Sequence, residues 1–296
     1  MKDFEQILID ASKFASEKML EVKKRKDYFV DTKGDSLSKE SSILTRADIE
    51  TEKALALFFT EKMPEYNFLG EESGNRNVNV SKIIVSDPID CTLGFTQNLA
   101  NFGTIIGIYD NGINVAGSEC NAVTGTIYVA TLKAGFKRYG PEDDAAENTI
   151  YLEAPNNLKE VFGEKEGTEL NDRIASAFRE AFQGVNFVIH KPNVLNKCRV
   201  FSGRYLGLFH ATWSRHDLAA APILAATTGS HLSDHTGTRF EPVDFLEEFK
   251  KYATKSNRVI YSLPAVIAKD REVYEKMLQV LSEFERELNK VRNPKY

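Results

Sequence analysis

Asp87-Pro88-Ile89-Asp90-Cys91-Thr92 follows directly on the apolar run Ile83-Ile84-Val85. Two carboxylates and a hydroxyl at the end of such a run suit a divalent-cation site. Hard ions such as Mg²⁺ take oxygen ligands from several chain segments and leave room for water and a substrate phosphate. A second acidic cluster, Gly70-Glu71-Glu72-Ser73, ends the short apolar segment Tyr66-Asn67-Phe68-Leu69, and it lies beside the first if the two segments are neighbouring strands. Taken singly, both have ordinary readings, since Asp-Pro and Gly-Glu-Glu also occur at turns and helix starts. Two further elements complete an ordered set of four. Ile43-Leu44-Thr45-Arg46-Ala47-Asp48 precedes a helical stretch, and the residues from Trp213 through Asp217 to Ala220 open a small-residue helix with an acid at its start.

In these four elements the chain resembles the inositol monophosphatase family, a lithium-sensitive, magnesium-dependent phosphatase superfamily that includes fructose bisphosphatases and nucleotide bisphosphate phosphatases. The family pattern runs Thr-x-x-Asp before a helix, Gly-Glu-Glu, Asp-Pro-Ile-Asp-Gly-Thr, then Trp-Asp with small residues after it. Here it is met by Thr45 with Asp48, by Gly70-Glu71-Glu72, by Asp87-Pro88-Ile89-Asp90 with Thr92, and by Asp217 with Ala219-Ala220. Asn121 through Gly125, with Tyr128 and Ala130, resembles the family's central strand-turn-strand.

The resemblance implies an α+β fold, a layered αβαβα sandwich. It implies Mg²⁺-dependent hydrolysis of a small phosphate monoester by a metal-activated water, with two or three ions and Mn²⁺ as a substitute. It also implies a small phosphorylated metabolite as partner and a homodimer. Residue by residue, Glu71, Asp87 and the Ile89 carbonyl would hold a first ion, and Asp87, Asp90 and Asp217 a second, with Glu71 reaching a weaker third. Thr92 would orient the attacking water and Asp48 would accept from Thr92, so Glu71, Thr92 and Asp48 form the catalytic group. Cys91, Thr92, Ser202, Gly203, His210 and Asp217 fall on the substrate side.

Several of these positions carry a structural alternative. Thr45-x-x-Asp48 is also a near capping box, so Asp48 can simply cap its helix. Asp217 can be a helix N-terminal charge, worth roughly 0.3–1 kcal/mol against the dipole. Cys91 stands where the family has glycine. With negative φ it still offers its N–H to phosphate, whereas with positive φ the site is strained or altered. On the first reading, Cys91→Gly would cost roughly 0.4–1 kcal/mol through the freedom of the unfolded chain. The Cys91 thiol reads either as an inert small group or as an oxidisable one.

Gly94 replaces a usual polar residue. His210 occupies the place, seven residues before Asp217, where inositol-specific relatives have Glu, and His216 precedes Asp217 where Trp is usual. His210, Arg215 and His216 read either as a reader of a second anionic group or as partly buried residues. The alternative function is a catalytically impaired phosphatase-fold binding or regulatory protein. An unrelated phosphotransferase is disfavoured because no Gly-x-x-x-x-Gly-Lys-Ser/Thr loop is present.

The elements that must position these residues are legible as periodicities. Phe4, Ile7, Leu8, Ala11, Phe14, Ala15, Met19 and Val22 mark a first helix, and Arg46 to Lys62 a second, stopped by Pro64. Ile83–Ser86 reads as a buried strand with the acidic motif at its end. Phe102–Tyr109 and Ile113–Glu119 flank Asp110-Asn111-Gly112 as a hairpin, and Thr126–Leu132 follows as a third strand. Residues 140–168 form a connection rich in acids, Asn and Gly. Beyond it come a helix over Leu170–Phe182, a strand over Asn186–His190, a helix over Leu218–Thr227 and one terminal amphipathic helix carrying Tyr274, Met277, Leu278, Leu281, Phe284 and Leu288.

The 296 residues, 42% of them apolar, suit one large domain or two packed halves, taken here as 1–145 and 146–296. A net charge of −5 without a long basic block argues against nucleic acid as the main partner. The run Lys23-Lys24-Arg25-Lys26 reads as the solvated end of the first helix. Three cysteines without ligand spacing suggest neither a disulfide framework nor zinc. No signal core or membrane-length apolar run is seen, so the expectation is a soluble, cytoplasmic protein with no membrane partner.

Overall fold

The computed structural model describes residues 3–26, 30–32, 43–72, 81–141, 149–153, 164–189, 193–240 and 263–292. Two helices form the first layer. Helix α1 (Phe4–Arg25) starts at Asp3, whose carboxylate accepts from the Gln6 N–H, and buries Leu8, Ala11, Ala15, Met19 and Val22 on one stripe. Its basic end is not simply solvated, since Lys23 Nζ donates to the Phe95 carbonyl at 2.9 Å and lies 4.4 Å from the Phe102 ring centroid. A short antiparallel pair, β1 (Val30–Thr32) and β2 (Ile43–Thr45), leads into α2 (Arg46–Lys62).

Both helices cover a six-stranded sheet in spatial order β3 to β8: β3 (Asn67–Gly70), β4 (Lys82–Asp90), β5 (Gly103–Asp110), β6 (Ile113–Asn121), β7 (Ile127–Thr131) and β8 (Gly135–Tyr139). Only β3 and β4 pair in parallel. The β5–β6 hairpin closes on Asp110 opposite Ile113, leaving Asn111-Gly112 as the two-residue loop that Asn-Gly favours. Leu55, Phe59, Ile84, Ile106, Ile108 and Val129 form the apolar core between the helices and this sheet.

The second sheet has spatial order β10-β9-β11-β13-β12: β9 (Thr149–Glu153), β10 (Asn186–Ile189), β11 (Gly207–Trp213), β12 (His231–Asp234) and β13 (Leu263–Ala268). Between the sheets lie α5 (Asn196–Phe201) and α6 (Ala221–Thr228), in a core with Val85, Tyr109, Phe201, Leu208, Ile223 and Ile267. The outer face of the second sheet is covered by α4 (Glu164–Ala181), α7 (Arg271–Ser282) and α8 (Glu285–Arg292), which bury Phe178, Phe209, Met277 and Leu281. The layers therefore alternate helix, sheet, helix, sheet, helix, an α+β sandwich.

Four boundaries differ from the sequence reading. Strand β4 continues through the acidic motif to Asp90, because Pro88, which has no N–H for the ladder, falls where the pairing with β5 shifts register between Asp87 and Asp90. Helix α6 begins at Ala221, not Leu218, so Asp217 stands in a turn ahead of it. The single terminal helix is two, broken at Glu283 and Phe284. The stretch read as a connection over 140–168 holds strand β9, paired with β10 and β11, and the start of helix α4 at Glu164; its residues 142–148 and 154–163 lie outside the described residues, as do Ser73 and His190.

Candidate active site

Each acidic element reaches the site by a specific backbone device. At Thr45 the chain is extended, and a reciprocal box closes the start of α2: the Thr45 N–H donates to Asp48 Oδ2 at 2.8 Å and its hydroxyl donates to the same oxygen at 2.6 Å. Asp48 is 1% exposed, and its other oxygen, Oδ1, accepts from the Thr92 hydroxyl at 3.3 Å. The capping and catalytic-group readings of Asp48 thus describe the same geometry. Thr92, at the start of α3 (Thr92–Thr96), also donates to the Ile89 carbonyl at 2.9 Å.

Glu71 follows β3, and its N–H donates to the Ser86 carbonyl, which carries the parallel pairing one residue further and sets Glu71 beside Asp87. The bend after it is held by buried Glu52, whose Oε2 accepts from the Glu72 N–H at 2.6 Å. Gly70 permits this. A Cβ there would meet the Glu52 carboxyl carbon at 2.1 Å.

Asp217 comes from the other half of the chain, in a box of its own. Its Oδ2 accepts from the Ser214 N–H and its Oδ1 from the Ser214 hydroxyl, both at 2.8 Å. The turn after it packs directly onto the first sheet: the Tyr109 hydroxyl donates to the Ala219 carbonyl at 2.8 Å, and the Ile223 N–H donates to Asn114 Oδ1 at 2.9 Å. Gly107 makes the approach possible, since any Cβ would stand 2.1 Å from the Ala219 oxygen.

The result is one group of carboxylates. Oxygens of Asp87, Asp90 and Asp217 all lie within 4.8 Å of one another, with Asp87 buried and the other two half-buried. Desolvation, followed by the negative charges of Asp90 and Glu71, raises the Asp217 carboxyl well above the usual carboxylate range. All-oxygen ligands crowded by like charge are what a hard divalent cation relieves, so this donor set fits Mg²⁺ or Mn²⁺.

Cys91 has φ +65° and ψ +47°, the left-handed conformation. This selects the strained alternative of the sequence reading and removes the basis for a stability loss in Cys91→Gly. A side chain here costs about 1–2 kcal/mol relative to the ordinary backbone. Its thiol is half-buried and donates to Asp90 Oδ1 at 3.5 Å. At Gly94 a Cβ would meet Asn101 Oδ1 at 2.0 Å, so a larger residue there would require the Asn101 side chain to move.

The substrate-side residues divide. His210 and Trp213 lie three apart on β11, where a regular strand would turn them to opposite faces. The register of β11 against β13 shifts between them, and their rings stack 4.9 Å apart at 4°. Burial first, then the charge of Lys197, lowers His210 to about 3. Neutral at physiological pH, His210 does not supply a cation for a second anionic group. Ser202 and Gly203 sit exposed at the far end of α5, where the Ser202 hydroxyl donates to the Arg199 carbonyl, and the described contacts do not join them to the carboxylates.

Three buried charged residues that bear on this site escaped sequence reasoning. Besides Glu52 there are Lys197, 2% exposed, and Glu119, fully buried. Lys197 Nζ lies 3.8 Å from Asp90 Oδ2 and 3.7 Å from Glu119 Oε1, and the Cys198 thiol donates to Glu119 Oε2 at 3.2 Å. Burial pushes the Glu119 carboxyl up to about 7 against the pull of Lys197. A lone Glu in an otherwise uncharged strand, and a Lys among Val194, Leu195, Cys198, Val200 and Phe201, were the available signals.

The profile of the Inositol monophosphatase family matches residues 1–283. The inositol-1-monophosphatase of Bacillus subtilis (strain 168) is 26% identical over 215 residues, spanning 71% of this chain and 78% of that protein. Among solved structures, the extragenic suppressor protein SuhB of Bartonella henselae superposes with a TM-score of 0.72 at 17% identity, covering 95% of this chain and 99% of that one. An IMPase/NADP phosphatase complexed with Mg²⁺ and phosphate gives 0.65 at 14% identity, covering 89% and 90%. The chain belongs to the inositol monophosphatase family and is a hydrolase of the phosphatase class. Among the described residues no helix is long and apolar enough to cross a membrane.

Proposed function

We propose that this chain hydrolyses a small phosphate monoester in a Mg²⁺-dependent reaction at the Asp87–Asp90–Asp217 group. The observation that carries the reading is the convergence of three carboxylates from two distant segments beside a hydroxyl already oriented by Asp48. A similar fold has been solved with Mg²⁺ and phosphate, which favours the same chemistry here. The halves 1–145 and 146–296 would meet at this group, the first giving Glu71, Asp87 and Asp90, the second Asp217.

Asp87, Asp90 and Asp217, with Glu71 and the Ile89 carbonyl at its edge, would hold Mg²⁺. Bound there, Mg²⁺ supplies neutralisation of the phosphate dianion, a more acidic water and a partner for the leaving oxygen. The protein's own groups do the positioning. The Thr92 hydroxyl spends its hydrogen on the Asp48 carboxylate or the Ile89 carbonyl, so its oxygen is left to accept from a water and turn that water's lone pair toward phosphorus. The backbone N–H groups of Cys91 and Thr92 are the donors for phosphate. His210, neutral and flat against Trp213, suits an uncharged polyol, sugar or nucleoside moiety better than a second anion.

A catalytically impaired binding or regulatory protein is the second reading, favoured by the left-handed backbone at Cys91. Phosphate release across a panel of inositol, sugar, nucleotide and amino-alcohol monophosphates, with Mg²⁺, Mn²⁺ or EDTA, decides between them. Mg²⁺-dependent release from at least one ester, abolished in Asp87→Asn, is expected. No release from any of them supports the second reading.

A further inference from the structure

The negative charge gathered at Asp87, Asp90 and Asp217 is answered from inside the protein. Lys197, in the first turn of α5, is almost wholly withdrawn from water, and its ammonium stands 3.8 Å from Asp90 Oδ2 and 3.7 Å from Glu119 Oε1. The Trp213 ring also faces it, with its centroid 5.5 Å away. An ammonium in such surroundings is tolerated only beside carboxylates. Helix α5, buried along Asn196, Lys197, Cys198, Val200 and Phe201, therefore closes with Lys197 aimed at Asp90.

We propose that Lys197 is a resident counter-cation that weakens divalent-ion binding at the Asp90 end of the carboxylate group. An ion held by Asp90 is brought next to this ammonium, which stands 3.8 Å from the Asp90 carboxylate, and is repelled by it, an effect that weakens with distance along the carboxylate group. Lys197 thus lowers the affinity for the ion that Asp90 holds, and keeps Asp90 in place while that ion is away. Lys197 is a positioning residue here, acting through Asp90. The inference rests on the phosphatase reading and adds to it a graded demand for ions.

The test is calorimetric titration of Mn²⁺ alone, without substrate, into wild type, Lys197→Arg and the double variant Lys197→Met/Glu119→Gln. The double variant exchanges Lys197 and Glu119 for neutral groups, so Glu119 is not left ionised without its partner while Asp90 alone loses the ammonium, and a melting curve verifies its fold. Two binding events at least tenfold apart are expected in wild type and Lys197→Arg. In the double variant the weaker event should tighten about tenfold. An unchanged weaker event in the double variant overturns the proposal, as does Lys197→Arg behaving like it. Both of these leave the phosphatase reading standing, whereas the absence of Mn²⁺ binding in all three proteins overturns both.

Discussion

Thr45-x-x-Asp48 and Ser214-x-x-Asp217 are one device in two settings. In each, an aspartate accepts from both the backbone N–H and the hydroxyl of the residue three before it, and returns its own N–H to that hydroxyl, at 3.4 Å for Asp48 and 3.2 Å for Asp217. Asp48 heads a 17-residue helix and has hydroxyls around it. Asp217 heads only a turn, closed by Leu218 on Arg215 and Ala219 on His216, and is pressed by Asp90 and Glu71. The box fixes where a carboxylate points. What it faces decides whether the charge serves the helix, the water or a cation.

The largest test of that contrast is Asp217→Asn. Asparagine can keep the acceptor bond within the turn but gives up the negative charge that would hold a cation, so kcat/KM should fall by about 10³-fold or more. In EDTA the melting temperature should hold or rise, because a crowded negative charge has gone. Activity within tenfold of wild type would make Asp217 a cap like Asp48.

Next come Thr92→Ala and Asp48→Asn, each expected to lower kcat by about 10²-fold with Mn²⁺ affinity unchanged, as for the loss of one positioned catalytic group. Asp48→Ala should in addition cost about 1 kcal/mol through the lost cap. If Mn²⁺ affinity fell in step with kcat, Asp48 would belong to the cation cluster and the contrast would dissolve.

Glu119→Gln probes the buried Lys197–Glu119 pair by pH. Because burial raises Glu119 from 4.5 to about 7, the folded chain prefers the proton. The stability this gives is complete below pH 4.5 and is lost as pH rises through 7. Denaturant titrations of the metal-free protein should show a decline on the order of 2–3 kcal/mol between these limits, flattened in Glu119→Gln. Identical pH profiles would mean Lys197 holds Glu119 ionised throughout. The smallest effect is at Cys91, where glycine relieves a left-handed residue. Cys91→Gly should stabilise by about 1 kcal/mol, read from the denaturation midpoint, and a loss of stability would contradict the φ of +65°.

The first half of the site was readable because its geometry is local. A capping box, a strand ending in acids and an Asn-Gly hairpin each declare themselves within a dozen residues, and the family resemblance ordered them. The second half was not, because its relations are made by packing. Trp213 and His210 share a face only through a register shift, and Lys197 meets Glu119 across 78 positions of chain. Nothing in the spacing of Lys197-Cys198-Arg199 separates a buried ammonium from a surface one. Cys91 was legible as a departure, but the sign of its φ was not.

The Gly107 contact with the Ala219 turn bears on when the site comes into being. Asp87 and Asp90 are in place once the first sheet forms, but Asp217 is delivered only when a segment more than a hundred residues downstream settles into the notch above Gly107. Contacts of such sequence separation form late, because the loop they close is entropically costly. During synthesis the nascent chain therefore passes through a stage with a finished first sheet and an incomplete carboxylate group. An ion that needs Asp217 would be held only once the inner core has closed, so uptake of that second cation would report on the closing step.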